Sequence, residues 1–193
     1  MRKLIMKMSV SVDGFVGGPR GEGDWIFRSS DENSMKWAAS KILDVGLIIM
    51  GRKSFEGMAN YWPTATGPFA RPMNEIPKAV FTRKGFDPGQ ILQKGNSAAS
   101  ISWSEARVIR DDFADSIQKL KSEDGKSIYA LGGAEFMRSL IEAGLIDEYH
   151  LAIHPVVLGS GQTIFDSVPQ PRDLKLMDAR SFPGGIVVHS YEK

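Results

Sequence analysis

A chain of 193 residues with 24 Lys and Arg against 23 Asp and Glu, 42% hydrophobic and 24% charged, has the composition of one soluble globular domain spanning 1–193. Its net charge of +1 gives no electrostatic reason to expect nucleic acid, and the lack of Cys excludes disulfides, thiolate metal sites and thiol catalysis. No apolar run approaches the ~20 residues of a membrane span, and the charge within the opening Leu4-Ile5-Met6-Lys7 stretch is unlike a secretory signal, so a cytoplasmic protein is expected.

Arg2 to Val12 reads as the opening strand. Asp13-Gly14 follows, then a long mobile loop over 17–23, where four Gly and a Pro in seven residues rule out a regular element. Ser29-Ser30-Asp31-Glu32 has the S-x-x-E spacing of a capping box, and Met35, Ala38, Ala39, Ile42 and Leu43 follow at helical spacing as the buried face. Gly46 to Met50 is continuously apolar, as in a strand covered on both faces. Further strands are expected at Lys78–Thr82 and Ala106–Arg110. Next comes a helix over Asp112–Glu123, with Phe113, Ile117 and Leu120 inward and Lys119 and Lys121 outward. Ser127–Leu131 reads as a strand and Ala134–Ala143 as a helix stopped by Gly144. The remainder is strand alone: Glu148–Val157, a piece near Thr163–Phe165, Leu174–Ala179 and Gly185–Tyr191. Residues 61–76 and 85–104, rich in Pro, Gly and Ser, are expected to be loops. Alternating strands and helices followed by strands imply an α/β fold, a mainly parallel central sheet with an antiparallel C-terminal edge and flanking helices.

Several common signatures are absent. Gly159-Ser160-Gly161 starts a dinucleotide fingerprint, but Ile164 stands where its third Gly would be; Gly125-Lys126-Ser127 ends like a triphosphate loop, but Leu120 replaces its first Gly. His150 and His154 share a strand face without a third ligand at metal-site spacing, so no metal is expected. Three strand ends carry the remaining chemistry. Gly51-Arg52-Lys53-Ser54 offers amides at a helix start beside two cations and a hydroxyl. Thr82-Arg83-Lys84 offers a hydroxyl and two cations. Gly132-Gly133-Ala134-Glu135-Phe136 allows a ligand to approach the backbone. Each alone reads as an ordinary turn; all three at one end of a sheet point to one extended, multiply phosphorylated ligand.

These segments, in this order, resemble the dihydrofolate reductase-like family. Met50 to Glu56 resembles the family's M-G-R-K/H-T-x-E segment. Thr82-Arg83 resembles the strand end that holds the 2′-phosphate of NADPH, and Leu131 to Phe136 resembles the G-G turn beside the pyrophosphate. Asp13-Gly14-Phe15-Val16-Gly17 resembles the start of the mobile active-site loop. The resemblance is strongest to the reductase domain of bifunctional riboflavin-biosynthesis deaminase-reductases, through Ser11-Val12-Asp13-Gly14 and His154-Pro155-Val156-Val157-Leu158-Gly159-Ser160-Gly161. It implies an NADPH-dependent oxidoreductase acting on a small pyrimidine- or pterin-like molecule, similar to the 5-amino-6-(5-phosphoribosylamino)uracil reductases. It also implies a homodimer and a cis peptide at Gly132–Gly133. The cofactor would be held by Val16, Gly51, Arg52, Lys53, Ser54, Thr82, Arg83, Lys84, Gly132, Gly133, Ala134, Glu135 and Phe136. The family's substrate residues are not matched: there is no Pro-Trp in the first loop and no Asp-Asp-Pro in the Ala59–Pro68 stretch. A dihydrofolate reductase proper and a catalytically silent NADPH-binding protein are therefore the alternatives. For the proton that accompanies hydride transfer, Asp31 and Glu32 are the acids at the start of the first helix; capping accounts for them equally well.

Overall fold

The computed structural model describes residues 1–90 and 98–193. The fold is α/β, its strands mainly parallel with antiparallel edge strands and with flanking helices, as the sequence pattern implies. The chain packs as two compact units: Met1–Lys3 with Ala38–Gly133, and Leu4–Trp37 with Ala134–Lys193. No helix of the described residues is long and apolar enough to cross a membrane.

The first unit contains the parallel strands β2 (Val45–Gly51), β3 (Lys78–Phe81), β4 (Arg107–Ile109) and β5 (Ser127–Ala130), in the order β4-β3-β2-β5. Ile48, Ile49 and Met50 are wholly buried, which explains the unbroken apolar run of β2. Its helices are α2 (Arg52–Tyr61), α3 (Ala70–Glu75), α4 (Ala98–Ser104) and α5 (Phe113–Ser122). α3, α4 and short 3₁₀ turns at Trp62–Thr64 and Pro88–Gln90 occupy stretches expected to be loops; residues 91–97 of that expectation lie outside the described residues. Asp112 caps α5 by accepting from the Asp115 amide at 3.0 Å, and Ile117 and Leu120 face inward as expected. Lys121, expected outward, is buried.

Lys78 is the unexpected member of this core. It is buried at the start of β3, where its Nζ donates to Ser102 Oγ at 2.6 Å and lies 4.3 Å from the centre of the Trp103 ring. Asn74 completes the network. Its side chain accepts from Trp103 Nε1 at 2.8 Å and donates to the Trp62 carbonyl at 2.9 Å, and its own carbonyl accepts from Ser102 Oγ. Burial pushes the Lys78 ammonium down to about 7.

The second unit contains β1 (Leu4–Ser11), β6 (Glu148–His154), β7 (Lys175–Ser181) and β8 (Val187–Glu192), in the order β1-β6-β8-β7. β1 and β6 are parallel, and the other pairs are antiparallel. The piece expected near Thr163–Phe165 forms no strand; its neighbour Gln162 makes an isolated bridge to Gly17. α6 (Ala134–Glu142) ends before Gly144, whose φ of 65° suits a helix stop.

The chain enters α1 (Glu32–Leu43) differently from the S-x-x-E expectation. Asp31 Oδ1 accepts from the amides of Asn33 and Ser34 at 2.8 and 2.9 Å, while Ser34 Oγ accepts from the Asp31 amide at 3.0 Å. The box is therefore Asp31-x-x-Ser34. Trp37, Ala39 and Ile42 are buried, whereas Met35 and Leu43, assigned to the inner face from spacing, are exposed.

Candidate functional site

In the first unit the register places the three motif-bearing strand ends side by side. Gly51 of β2 is level with Phe81 of β3, and Ile49 of β2 with Ala130 of β5. Gly51 is the extended N-cap residue of α2, and no side chain caps that helix start. One side-chain bond joins two of the motifs: the Gly133 amide donates to Ser54 Oγ at 2.8 Å. Gly132 has φ of 140°, a value that favours glycine, and a Cβ there would lie 2.9 Å from Ser54 Oγ. The turn is thus fitted to the first turn of α2. The cis peptide implied by the resemblance is not present: among the described residues every peptide is trans.

The cations divide into engaged and available groups. Arg52 Nε pairs with Glu56 Oε1 at 2.6 Å, and its guanidinium stands 5.0 Å from the centre of the Phe86 ring. Thr82 Oγ1 donates to the Lys84 carbonyl at 2.6 Å and accepts from the Lys84 amide at 3.1 Å, so its hydroxyl closes the turn. Lys53, Arg83 and Lys84 are exposed and, among the described residues, enter no ion pair. Arg110, just past β4, joins them: its Nη1 would be 3.3 Å from a Cβ on Gly85. The sequence carries that signal, a cation at the end of a fourth strand, the one expected over Ala106–Arg110.

The remaining predicted residues belong to the second unit. Ala134, Glu135 and Phe136 open α6: Ala134 is buried, Glu135 exposed and Phe136 half-buried. Val16 is buried, and its amide donates to the Gln162 carbonyl at 2.8 Å. The loop expected to be mobile is therefore anchored at its root. Asp13 strengthens the anchor, accepting from Ser11 Oγ at 2.6 Å and from the Gly159 amide at 2.7 Å; these bonds, the Ser11 bond foremost, hold its carboxyl down at about 2.

Neither acid named for proton transfer is placed as a donor. Asp31 also accepts from the Gly184 amide at 2.7 Å, and the amides of Ser34, Gly184 and Asn33 hold its carboxyl below the usual range. Glu32 pairs on the surface with Lys36 at 2.5 Å, and that bond lowers it too. Both are held ionised, which opposes a donor role near neutral pH.

A polar cluster that sequence reasoning passed over lies on one face of β1 and β6. Lys7, Ser9 and Ser11 share that face with His150 and His154, their register partners being His150, Ala152 and His154. Lys7 Nζ donates to Ser9 Oγ at 3.1 Å, so the side chain runs along β1 towards its C-terminal end. Burial lowers this ammonium to about 8. His154 Nδ1 shares a 2.8 Å hydrogen bond with Ser29 Oγ, and its ring meets Trp25 edge-on at 5.3 Å. The signal was legible: a Lys and two Ser alternate with apolar residues in the opening strand, three polar side chains on one face. Among the described residues no group of three His, Cys, Asp or Glu could hold a metal ion.

Parallel strands delivering cations and a glycine turn at one end, with antiparallel strands at the sheet edge, define the class of dihydrofolate reductase-like α/β folds. Within that class the chain belongs to the RibD C-terminal domain family, which matches residues 2–188. It is 32% identical over 186 residues to the protein YyaP of Bacillus subtilis (strain 168), covering 96% of this chain and 92% of that one. Among solved structures, a putative riboflavin biosynthesis protein from Shewanella sp. PV-4 superposes with a TM-score of 0.74 at 16% identity, covering 98% of each chain. RibD of Acinetobacter baumannii superposes with a TM-score of 0.71 at 15% identity, covering 100% of this chain but 58% of that one.

Proposed function

We propose that the chain is a cytoplasmic NADPH-dependent reductase, acting as one domain on a small pyrimidine- or pterin-like substrate with a C=N or C=O bond. The observation that carries this reading is the Gly133–Ser54 bond, which fastens the glycine turn to α2 beside strand ends bearing the unpaired cations Lys53, Arg83 and Lys84. These residues fit a dinucleotide with a pyrophosphate and a separate phosphate monoester. NADPH, when bound, supplies the hydride. Arg83 and Lys84 would hold the monoester, and the turn would lie along the pyrophosphate. Arg83→Ala should weaken NADPH by roughly 1.5–3 kcal/mol, tenfold or more, and leave NADH nearly unchanged. Equal loss for both cofactors, measured by fluorescence titration, would sink the assignment.

The ionised states of Asp31 and Glu32 favour a second reading, an NADPH-binding protein without turnover. NADPH oxidation against a panel of pterins and pyrimidine riboside phosphates separates the two readings: turnover of any of them rejects the silent one.

The reading includes a homodimer. Every residue of β7 is exposed, Leu176 and Met177 among them, and β7 ends its run of strands. A second copy would cover that edge. Light scattering at micromolar concentration should return twice 21.2 kDa; the monomer mass would refute the pairing.

A further inference from the structure

We propose that Arg138 is a positioning residue: it fixes the turn at 162–166 and so sets the root of the 13–23 loop relative to the start of α6. This rests on the reading that Val16 and the Ala134–Phe136 segment both face the cofactor. Arg138 lies one turn after Ala134 on α6. Its Nη2 donates to the Thr163 carbonyl at 2.8 Å, and its buried Nε stands 3.1 Å from Asp166 Oδ1 in an ion pair. The Thr163 hydroxyl donates to the Asp166 carboxylate, and Ile164 between them is buried, so the turn is closed on itself as well as on the helix. Thr163 directly follows Gln162, whose amide donates to the Gly17 carbonyl at 2.9 Å and whose carbonyl accepts from the Val16 amide at 2.8 Å. The carbonyl that Arg138 holds is thus the next one along the chain from the carbonyl that holds the loop.

The bonds of Asp13 to the Leu158 and Gly159 amides join the loop to the start of this stretch, but they tie neither to a helix. Arg138 supplies that tie. An arginine suits the task because its planar fork reaches a carbonyl and a carboxylate at once, which a lysine cannot do. Both bonds are charge-assisted, the stronger kind. A second arginine provides a built-in contrast. Arg172 closes the far end of the same stretch, donating from Nη1 to the Ile141 carbonyl and from Nη2 to the Glu142 carbonyl at 2.9 Å. It therefore holds the last turn of α6, whereas Arg138 acts near the first. The two residues join the same stretch to the same helix, and Arg138 is the one next to the loop bridge.

The test is amide hydrogen exchange in the full-length protein, read at Val16 and Gln162. Arg138→Met should speed exchange at both by about tenfold or more, because a charged hydrogen bond and an ion pair are lost together, while amides within β1 and β6 keep their native rates. Arg138→Lys, which can reach one partner but not both, should recover part of the protection. Arg172→Met should lower the melting temperature and leave Val16 and Gln162 at native rates. Asp166→Asn removes only the counter-charge, from a half-exposed side chain. It should speed both amides by less than Arg138→Met, and it carries the test if Arg138→Met does not fold. Unchanged exchange in folded Arg138→Met, or in Asp166→Asn where Arg138→Met is unfolded, would overturn the proposal. Equal acceleration in Arg172→Met would overturn it too, since that marks a general loosening around α6. Exchange needs neither NADPH nor turnover, so this failure is distinct from that of the NADPH reading, which shows in the Arg83→Ala titration.

Discussion

Gly132→Ala should abolish NADPH binding. Two costs combine at this position. The backbone φ of 140° lies where L residues are rare, which costs ~1–3 kcal/mol. The new Cβ would also lie 2.9 Å from Ser54 Oγ and 3.2 Å from Ser54 Cβ, displacing the hydroxyl that accepts from Gly133. Losing that bond adds ~1 kcal/mol. A combined 2–4 kcal/mol is ~30–1,000-fold in affinity if the turn must be intact to bind. Gly133 is less constrained, since a Cβ there would meet only Ser54 Oγ at 3.4 Å. Gly132→Ala should therefore be the more damaging of the two alanine variants. Fluorescence titration with NADPH, paired with a thermal melt to confirm folding, checks this; native affinity in a folded Gly132→Ala would reduce the turn to a simple connection.

Stability to unfolding should rise between pH 7 and pH 10, and Lys78→Met should remove much of that rise. The ammonium of Lys78 is lowered from 10.5 to about 7 in the folded protein, because it is buried with only a hydroxyl and an indole face against it. Between those values the unfolded chain binds the extra proton, so raising the pH favours folding. Below 7 both states are protonated and the full cost of burying the charge is present. Lys7 contributes in the same sense from about 8 upward. Lys78 alone is worth roughly 3 kcal/mol across this window. Above 10 the sign reverses, because burial raises the Tyr129 hydroxyl and the unfolded chain loses that proton first. Urea unfolding of the native protein and Lys78→Met at pH 7 and 10 measures the difference. Parallel pH dependence in both would show that the buried amine does not set it.

The sheet was legible because its strands advertise themselves. Ile48, Ile49 and Met50 are apolar without interruption and are buried on both sides. The last strand, expected over Gly185–Tyr191, forms as β8, and the glycine after Ala143 ends α6 near where expected. α3 and α4 were hidden because six- and seven-residue helices carry little periodicity. They are held by the side-chain bonds of Asn74 to Trp62 and Trp103, partners 12 and 29 residues away, which no local pattern encodes. The helix cap failed for a related reason: two capping signatures overlap, and the Ser29–His154 and Asp31–Gly184 bonds across the fold decide between them. At the site, composition and spacing found the cations and the glycine pair. They missed Lys7 because a lone basic residue in an opening strand reads as exposed until its neighbours in space are known.

The Asp13 anchor makes two distant stretches of sequence a single exchangeable part. Its carboxylate takes the amides of Leu158 and Gly159, Gly17 and Gln162 bond backbone to backbone, and a Cβ at Gly161 would overlap the Gly17 carbonyl. In chimeras with a relative such as YyaP, a loop transplanted as 13–23 alone would meet a foreign counterpart at 156–162. Both segments would have to travel together, and the same coupling makes the pair a natural cassette for combinatorial libraries aimed at altered substrate preference.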